Sequence, residues 1–214
     1  MGGGVLIYVI LLMTVSMIHG LYFGEPLSQL WFNESYLSGG SPIYDPTSLN
    51  IMSLWDSMLS DLGLGRFERD VTLGAALGLV TVRISRFMSA RFRWAKRIDD
   101  DFAPYFREQS SPNLTLLALS SSLVEEIVFR GWLHSLIGFV AASVTFGVLH
   151  MPPKREHWPW TISALIMGFV LGGLYEWRGS VTAPFVTHFT INYFNLHALA
   201  RRPLIPRSPH EEQV

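Results

Sequence analysis

Long apolar runs alternate with short polar connections along this chain. Residues 5–18 (VLIYVILLMTVSMI) are apolar, and with the stretch to Phe23 the run reaches the roughly 20 residues a bilayer-spanning helix needs. Residues 71–90 predict a second span, ending in Arg83 and Arg86, whose stems let the charged ends reach the interface. Ser111-Pro112 reads as a helix start, a cap followed by proline at the first helical position, and LTLLALSSSLVEEIVFRGWL continues it. Residues 139–151 are apolar but too few to cross ~30 Å of hydrocarbon as a helix, which predicts a re-entrant or tilted segment with Gly131 and Gly138 as bends. Residues 159–177 and 181–200 supply two more spans. The pattern predicts an all-α, polytopic membrane helix bundle of five to six transmembrane helices, one of them short or re-entrant.

The connections divide the chain. Residues 24–70 are polar, acidic and rich in turn formers such as Ser38-Gly39-Gly40-Ser41-Pro42, so they read as a loop. Within it Ile51, Leu54, Trp55, Met58, Leu59 and Leu62 recur at helical spacing, an amphipathic helix that either lies on the membrane face or caps the bundle. Asn33-Glu34-Ser35 is a formal glycosylation sequon of a kind common by chance. No charge precedes the first span and no small-residue cleavage site follows it, so a retained anchor is expected rather than a secretory signal. The expected organisation is an anchor and acidic extracytoplasmic loop over 1–70, a membrane domain over 71–200 and a cytoplasmic tail over 201–214.

Composition agrees. Of 214 residues 49% are hydrophobic and 15% charged, against about 25% charged in an average soluble domain. A net charge of -1 leaves no basic footprint for nucleic acid, and the chain has no cysteine for a disulfide or thiolate metal site. With six crossings and the amino terminus inside, the inner loops collect the seven cations of residues 83–107 together with Lys154, Arg155, Arg201, Arg202 and Arg207. The outer side receives Arg66, Arg69 and Arg178, the asymmetry of a positive-inside protein. The basic run through Arg91, Arg93, Lys96 and Arg97 reads first as that anchor and second as an anionic-lipid site.

Three charges stay in the membrane, where a central Asp, Lys or Arg costs about 2.5 to 3.5 kcal/mol and marks function by default. They are Glu125, Glu126 and Arg130. Glu126 and Arg130 are spaced i, i+4 and can pair on one face; Glu125 is rotated by about 100° and is freer for other work. A carboxylate shielded from water is a competent general base. His150 lies one turn beyond Phe146, and His188 and Asn192, again i, i+4, project from one face as two hydrogen-bonding groups aimed at one oxygen would. Pro184 is placed to kink that last helix. Each residue alone reads as well as a structural clamp or interhelical hydrogen bond; their occurrence together on successive segments favours a site. Spacing alone does not choose between the two glutamates.

Weaker candidates read as structure. Gly168 and Gly172 form a GxxxG suited to close helix packing. Asp99-Asp100-Asp101 reads as solvated charge beside a basic run. Ser120-Ser121-Ser122 lacks a base at local spacing and reads as polar packing, and Asn195 as a supporting group one turn beyond Asn192. His19, His134, His157, His197 and His210 carry no assigned role.

Taken in order, Glu125-Glu126-x-x-x-Arg130, Phe146-x-x-x-His150 and His188-x-x-x-Asn192 resemble the three motifs of the CPBP family, which contains type II CAAX prenyl proteases and bacteriocin-processing or Abi proteins. Phe129-Arg130-Gly131-Trp132-Leu133 and the approach to His188 through Gly179-Ser180 and Pro184 agree, and the likeness covers roughly residues 70–200. The resemblance implies a bacterial inner-membrane endopeptidase acting on a membrane-embedded or lipidated protein or peptide. It implies Glu125 as the base that activates water, Glu126 and Arg130 as its supports, His150 as holder of the water or the charge, and His188 and Asn192 as the oxyanion site. The family has been read both as metalloproteases and as glutamate-dependent without metal; the second reading, with no cofactor, is the one favoured. Zinc is the alternative, although no HExxH arrangement is present. The competing expectation is a non-catalytic immunity or scaffold protein of the same fold; a transporter has little support without an inverted repeat.

Overall fold

The computed structural model describes residues 63–203 apart from Pro153. The first span, the helix around Trp55, the Asn33 sequon, His19, and Arg207 and His210 in the tail lie outside the described residues. The described chain folds into six α-helices: α1 (Arg66–Arg91), α2 (Arg93–Phe106), α3 (Ser111–Glu126), α4 (His134–Leu149), α5 (Trp158–Arg178) and α6 (Thr182–Ala200). A π-helical turn, Ile127–Leu133, joins α3 to α4, and a 3-10 turn, Arg155–His157, precedes α5. No strand occurs among the described residues, so the all-α bundle stands.

Among the described residues, three helical stretches are long and apolar enough to cross a membrane: Arg66–Arg91, Ser111–Leu149 and Arg155–Arg178. The second, 39 residues long, is not one straight span. At Gly138 the backbone takes φ 83 and ψ 166, a region essentially reserved for glycine, and the chain turns back on itself. Phe146 then packs edge-on against Phe129 at 4.9 Å, and His150 comes level with Glu125. The arm after Gly138 has 11 residues, about 16 Å of helix, so residues 139–149 form a short returning arm. Gly131 lies inside the π turn and does not share the left-handed φ of Gly138.

Four other expectations shift. Ser110, not Ser111, caps α3: its hydroxyl accepts from the Asn113 amide, because Pro112 falls at the second helical position. The basic stretch after Arg91 is no simple tail of α1; Phe92 adopts extended backbone and a separate amphipathic helix follows. Pro184 sits in the first turn of α6, where an amide has no partner to lose, so it starts the helix without kinking it. α6 itself is not among the three lipid-crossing stretches. Its polar side chains, including His188, Asn192 and Asn195, suit an interior helix held against α1 and α3.

Two groups of helices meet along α6. In one, α3, α4 and α5 enclose Val124, Val128, Phe129, Phe146 and Ala164; in the other, Leu73 of α1, Leu174 of α5 and Ala183 of α6 pack together. Small residues set the approach. A Cβ on Gly74 would stand 2.6 Å from the Ala183 carbonyl oxygen, and one on Gly168 2.6 Å from that of Ser143, so α1–α6 and α4–α5 pack closely as small-residue motifs allow. Leu79, Val80, Ile84, Leu116, Val140, Val144, Ile162 and Ile166 face outward as a lipid-facing belt.

Candidate active site

The π turn and the hairpin bring the membrane charges to the junction of the two helix groups. Arg130 is almost fully buried, and its Nη1 donates to Glu126 Oε1 at 3.0 Å, the pairing expected from the i, i+4 spacing. Its Nη2 donates to the Gly168 carbonyl at 3.3 Å, and the Ser143 hydroxyl donates to the same oxygen at 3.0 Å. The guanidinium also lies 4.6 Å over the Phe146 ring, an arrangement that favours a cation in a dry site. A buried charge unpaired here would cost several kcal/mol; two hydrogen bonds and a ring face offset that cost.

His188 reaches across from α6. Its Nδ1 lies 2.7 Å from Glu126 Oε1, so this oxygen serves both Arg130 and His188. Glu125 remains outside that pairing. Its Oε2 is buried and makes no hydrogen bond, yet it stands 3.6 Å from His150 Nε2 and 3.9 Å from His188 Nε2. The His150 ring is oriented by its own helix: Nδ1 donates to the Phe146 carbonyl at 2.7 Å, which turns Nε2 toward Glu125. Phe146 stacks on His150 at 4.4 Å and meets His188 edge-on at 6.0 Å. One aromatic ring thus touches all three cationic or basic side chains.

The structure brings Glu125, Glu126, Arg130, His150 and His188 into one cluster. Asn192 stands one turn farther along α6, where Nδ2 donates to Ser121 and Ser122 at 3.2 Å each. Sequence reasoning set those serines aside and overlooked Ser143 and the Gly168 carbonyl. Ser143 carries no local signal, whereas the Ser120–Ser122 run and Asn192 are polar residues in apolar runs and could have been matched. The other histidines find separate partners: His134 with Glu176, His157 with Asp101 and His197 with Ser111. Among the described residues no group of three or more His, Cys, Asp or Glu is disposed to hold a metal ion.

Residues 107–194 match the family described as Type II CAAX prenyl endopeptidase Rce1-like. A relative from Bacillus subtilis (strain 168), the uncharacterized protein YpbD, is 33% identical over 109 residues, covering 51% of this chain and 57% of YpbD. The matched part thus spans little more than half of that relative. No solved structure matches. All six candidate residues fall inside the family match, as do the π turn and the Gly138 hairpin, while α1 and α2 precede it. Over residues 107–194, less than half of its length, this chain is similar to the Rce1-like family of type II CAAX prenyl endopeptidases.

Proposed function

We propose that this protein is a glutamate-dependent intramembrane endopeptidase that cleaves a membrane-embedded or lipidated protein or peptide near its C-terminus or lipid anchor. The observation that carries the reading is Glu125 Oε2, buried, without a hydrogen bond and facing the Nε2 atoms of two histidines. A water between Glu125 and His150 would pass a proton to Glu125 as its oxygen attacks the scissile carbonyl carbon. The proton would then move to the departing amine as the C–N bond breaks. Glu126, held by Arg130, fixes the His188 ring and keeps the second carboxylate out of the reaction.

His188 and Asn192 are the proposed oxyanion donors. With Nδ1 committed to Glu126, Nε2 is the His188 nitrogen left to face the substrate. Asn192 donates once its amide turns from Ser121 and Ser122 toward the substrate. No step is routed through a metal, since the described side chains do not assemble a ligand set. A metal-dependent version is separable: purified protease inactivated by a chelator and restored by zinc would favour it.

The test compares membrane proteomes of wild-type and Glu125→Gln cells. The expected result is a membrane protein retained in its longer form in the mutant, with the variant present at wild-type level. Identical proteomes would overturn the proposal in favour of a non-catalytic scaffold.

A further inference from the structure

Six cations, Arg83, Arg86, Arg91, Arg93, Lys96 and Arg97, lie in 15 residues that contain no acid, and all six are exposed. Among the described residues only Arg97 of the six pairs with an acid, Glu156 at 3.6 Å. Phe87, Phe92 and Trp94 are interleaved with them and exposed. The three aspartates that follow are turned into the protein. Asp99 accepts from Ser89 at 2.5 Å and pairs with Arg202 at 2.8 Å; Asp100 also pairs with Arg202, at 3.3 Å. Asp101 binds His157 at 2.8 Å, and Phe102 beside it packs on His157 and Trp160. The triplet is therefore a clip, not solvated charge: it fastens α2 to the ends of α1 and α6 and to the connection after His150.

We infer that the end of α1 and the outer face of α2 form a docking surface for the phosphate headgroups of anionic phospholipids. The sorting of charge carries this, cations outward and acids inward, because it leaves a positive face at the end of a membrane-crossing helix. The exposed aromatics among the cations suit the boundary between headgroups and acyl chains, which favours a lipid surface over an acidic protein. Bound lipid would hold α2 at the interface, and the clip would pass that constraint to the two elements that carry His188 and His150.

The test uses the purified full chain in a neutral detergent, titrated with phosphatidylglycerol or phosphatidylcholine of equal chain length and read by native mass spectrometry. Phosphatidylglycerol should be retained in clear preference. Each cation near a membrane surface contributes about fivefold, so Arg93→Gln/Lys96→Gln/Arg97→Gln should weaken retention by about a hundredfold. Arg69→Gln, at the opposite end, should leave it unchanged. Added salt should weaken binding in the wild type, an arm that needs no variant to fold. A second readout follows hydrogen exchange: phosphatidylglycerol should slow exchange over residues 150–157 in the wild type and not in Asp101→Asn. Neither readout requires proteolysis, so the result stands apart from the proposed activity. Equal retention of both lipids, an undiminished triple variant, displacement by the same concentration of inorganic phosphate, or a preference for an acidic peptide would overturn the inference.

Discussion

The two adjacent glutamates differ in what their loss should do. Glu126 neutralises a buried arginine and orients His188, so Glu126→Ala leaves Arg130 unpaired and should cost about 3–5 kcal/mol. Glu125 Oε2 supports nothing by hydrogen bond; Glu125→Gln should leave the melting temperature within a few degrees of wild type while abolishing turnover. Thermal unfolding in detergent, run beside a cleavage assay, separates the two. Asn192→Ala should lower kcat by roughly 10²–10³ with little change in KM if the amide serves the oxyanion; a change confined to stability would assign it to its serines instead. At this scale the i, i+4 rule made the Glu126–Arg130 pair legible. It could not reveal that His188 shares the same oxygen or that Asn192 meets Ser121 and Ser122, since those contacts join helices about 60 to 70 residues apart in sequence.

Among the helices, two glycines test two different causes. A Cβ at Gly138 would meet nothing within 4 Å, so Gly138→Ala acts through backbone strain alone and should cost about 1–3 kcal/mol. Gly168→Ala instead drives a methyl group into the Ser143 carbonyl. It should destabilise by about 1–3 kcal/mol and also displace the carbonyl that holds Arg130, so its loss of activity should exceed that of a Gly138 variant of equal stability. Denaturation midpoints plotted against rate for both variants check this. The apolar runs announced α1, α3 and α5 because length and hydropathy carry that signal. They announced the reversal as the shortness of residues 139–151, and Gly138, one of the two bends expected there, is where the backbone turns. They missed α2, which is amphipathic but too polar on average to register as an apolar run.

Across the whole molecule, Asp70 and Arg178 tie α1, which precedes the family match, to the turn between α5 and α6. Arg178 Nε donates to Asp70 Oδ1 at 2.5 Å, the Ser180 hydroxyl to Oδ2 at 3.0 Å, and all three residues are buried. Gly179, with φ 70, ends α5 in the left-handed conformation that lets Ser180 reach this pair. Asp70→Leu should cost about 3–5 kcal/mol, and adding Arg178→Met should recover most of it, as a double-mutant cycle on unfolding would show. Sequence reading assigned Asp70 to a loop because it stands at the edge of an apolar run. The cation count was more informative: Lys154 and Arg155 do share an end with α2, since His157 and Glu156 reach Asp101 and Arg97.

The unequal arms of the hairpin carry one more consequence. The proposed hydrolysis would consume a solvent molecule at a carboxylate about 21 Å of helix from the start of α3, deep for any bulk supply. Because the returning arm stops level with Glu125, the hydrophilic connection that follows His150, with Lys154, Arg155 and Glu156, brings chain that prefers hydration toward the same depth. The short arm therefore leaves this polar connection, rather than a further turn of apolar helix, between Glu125 and the basic face.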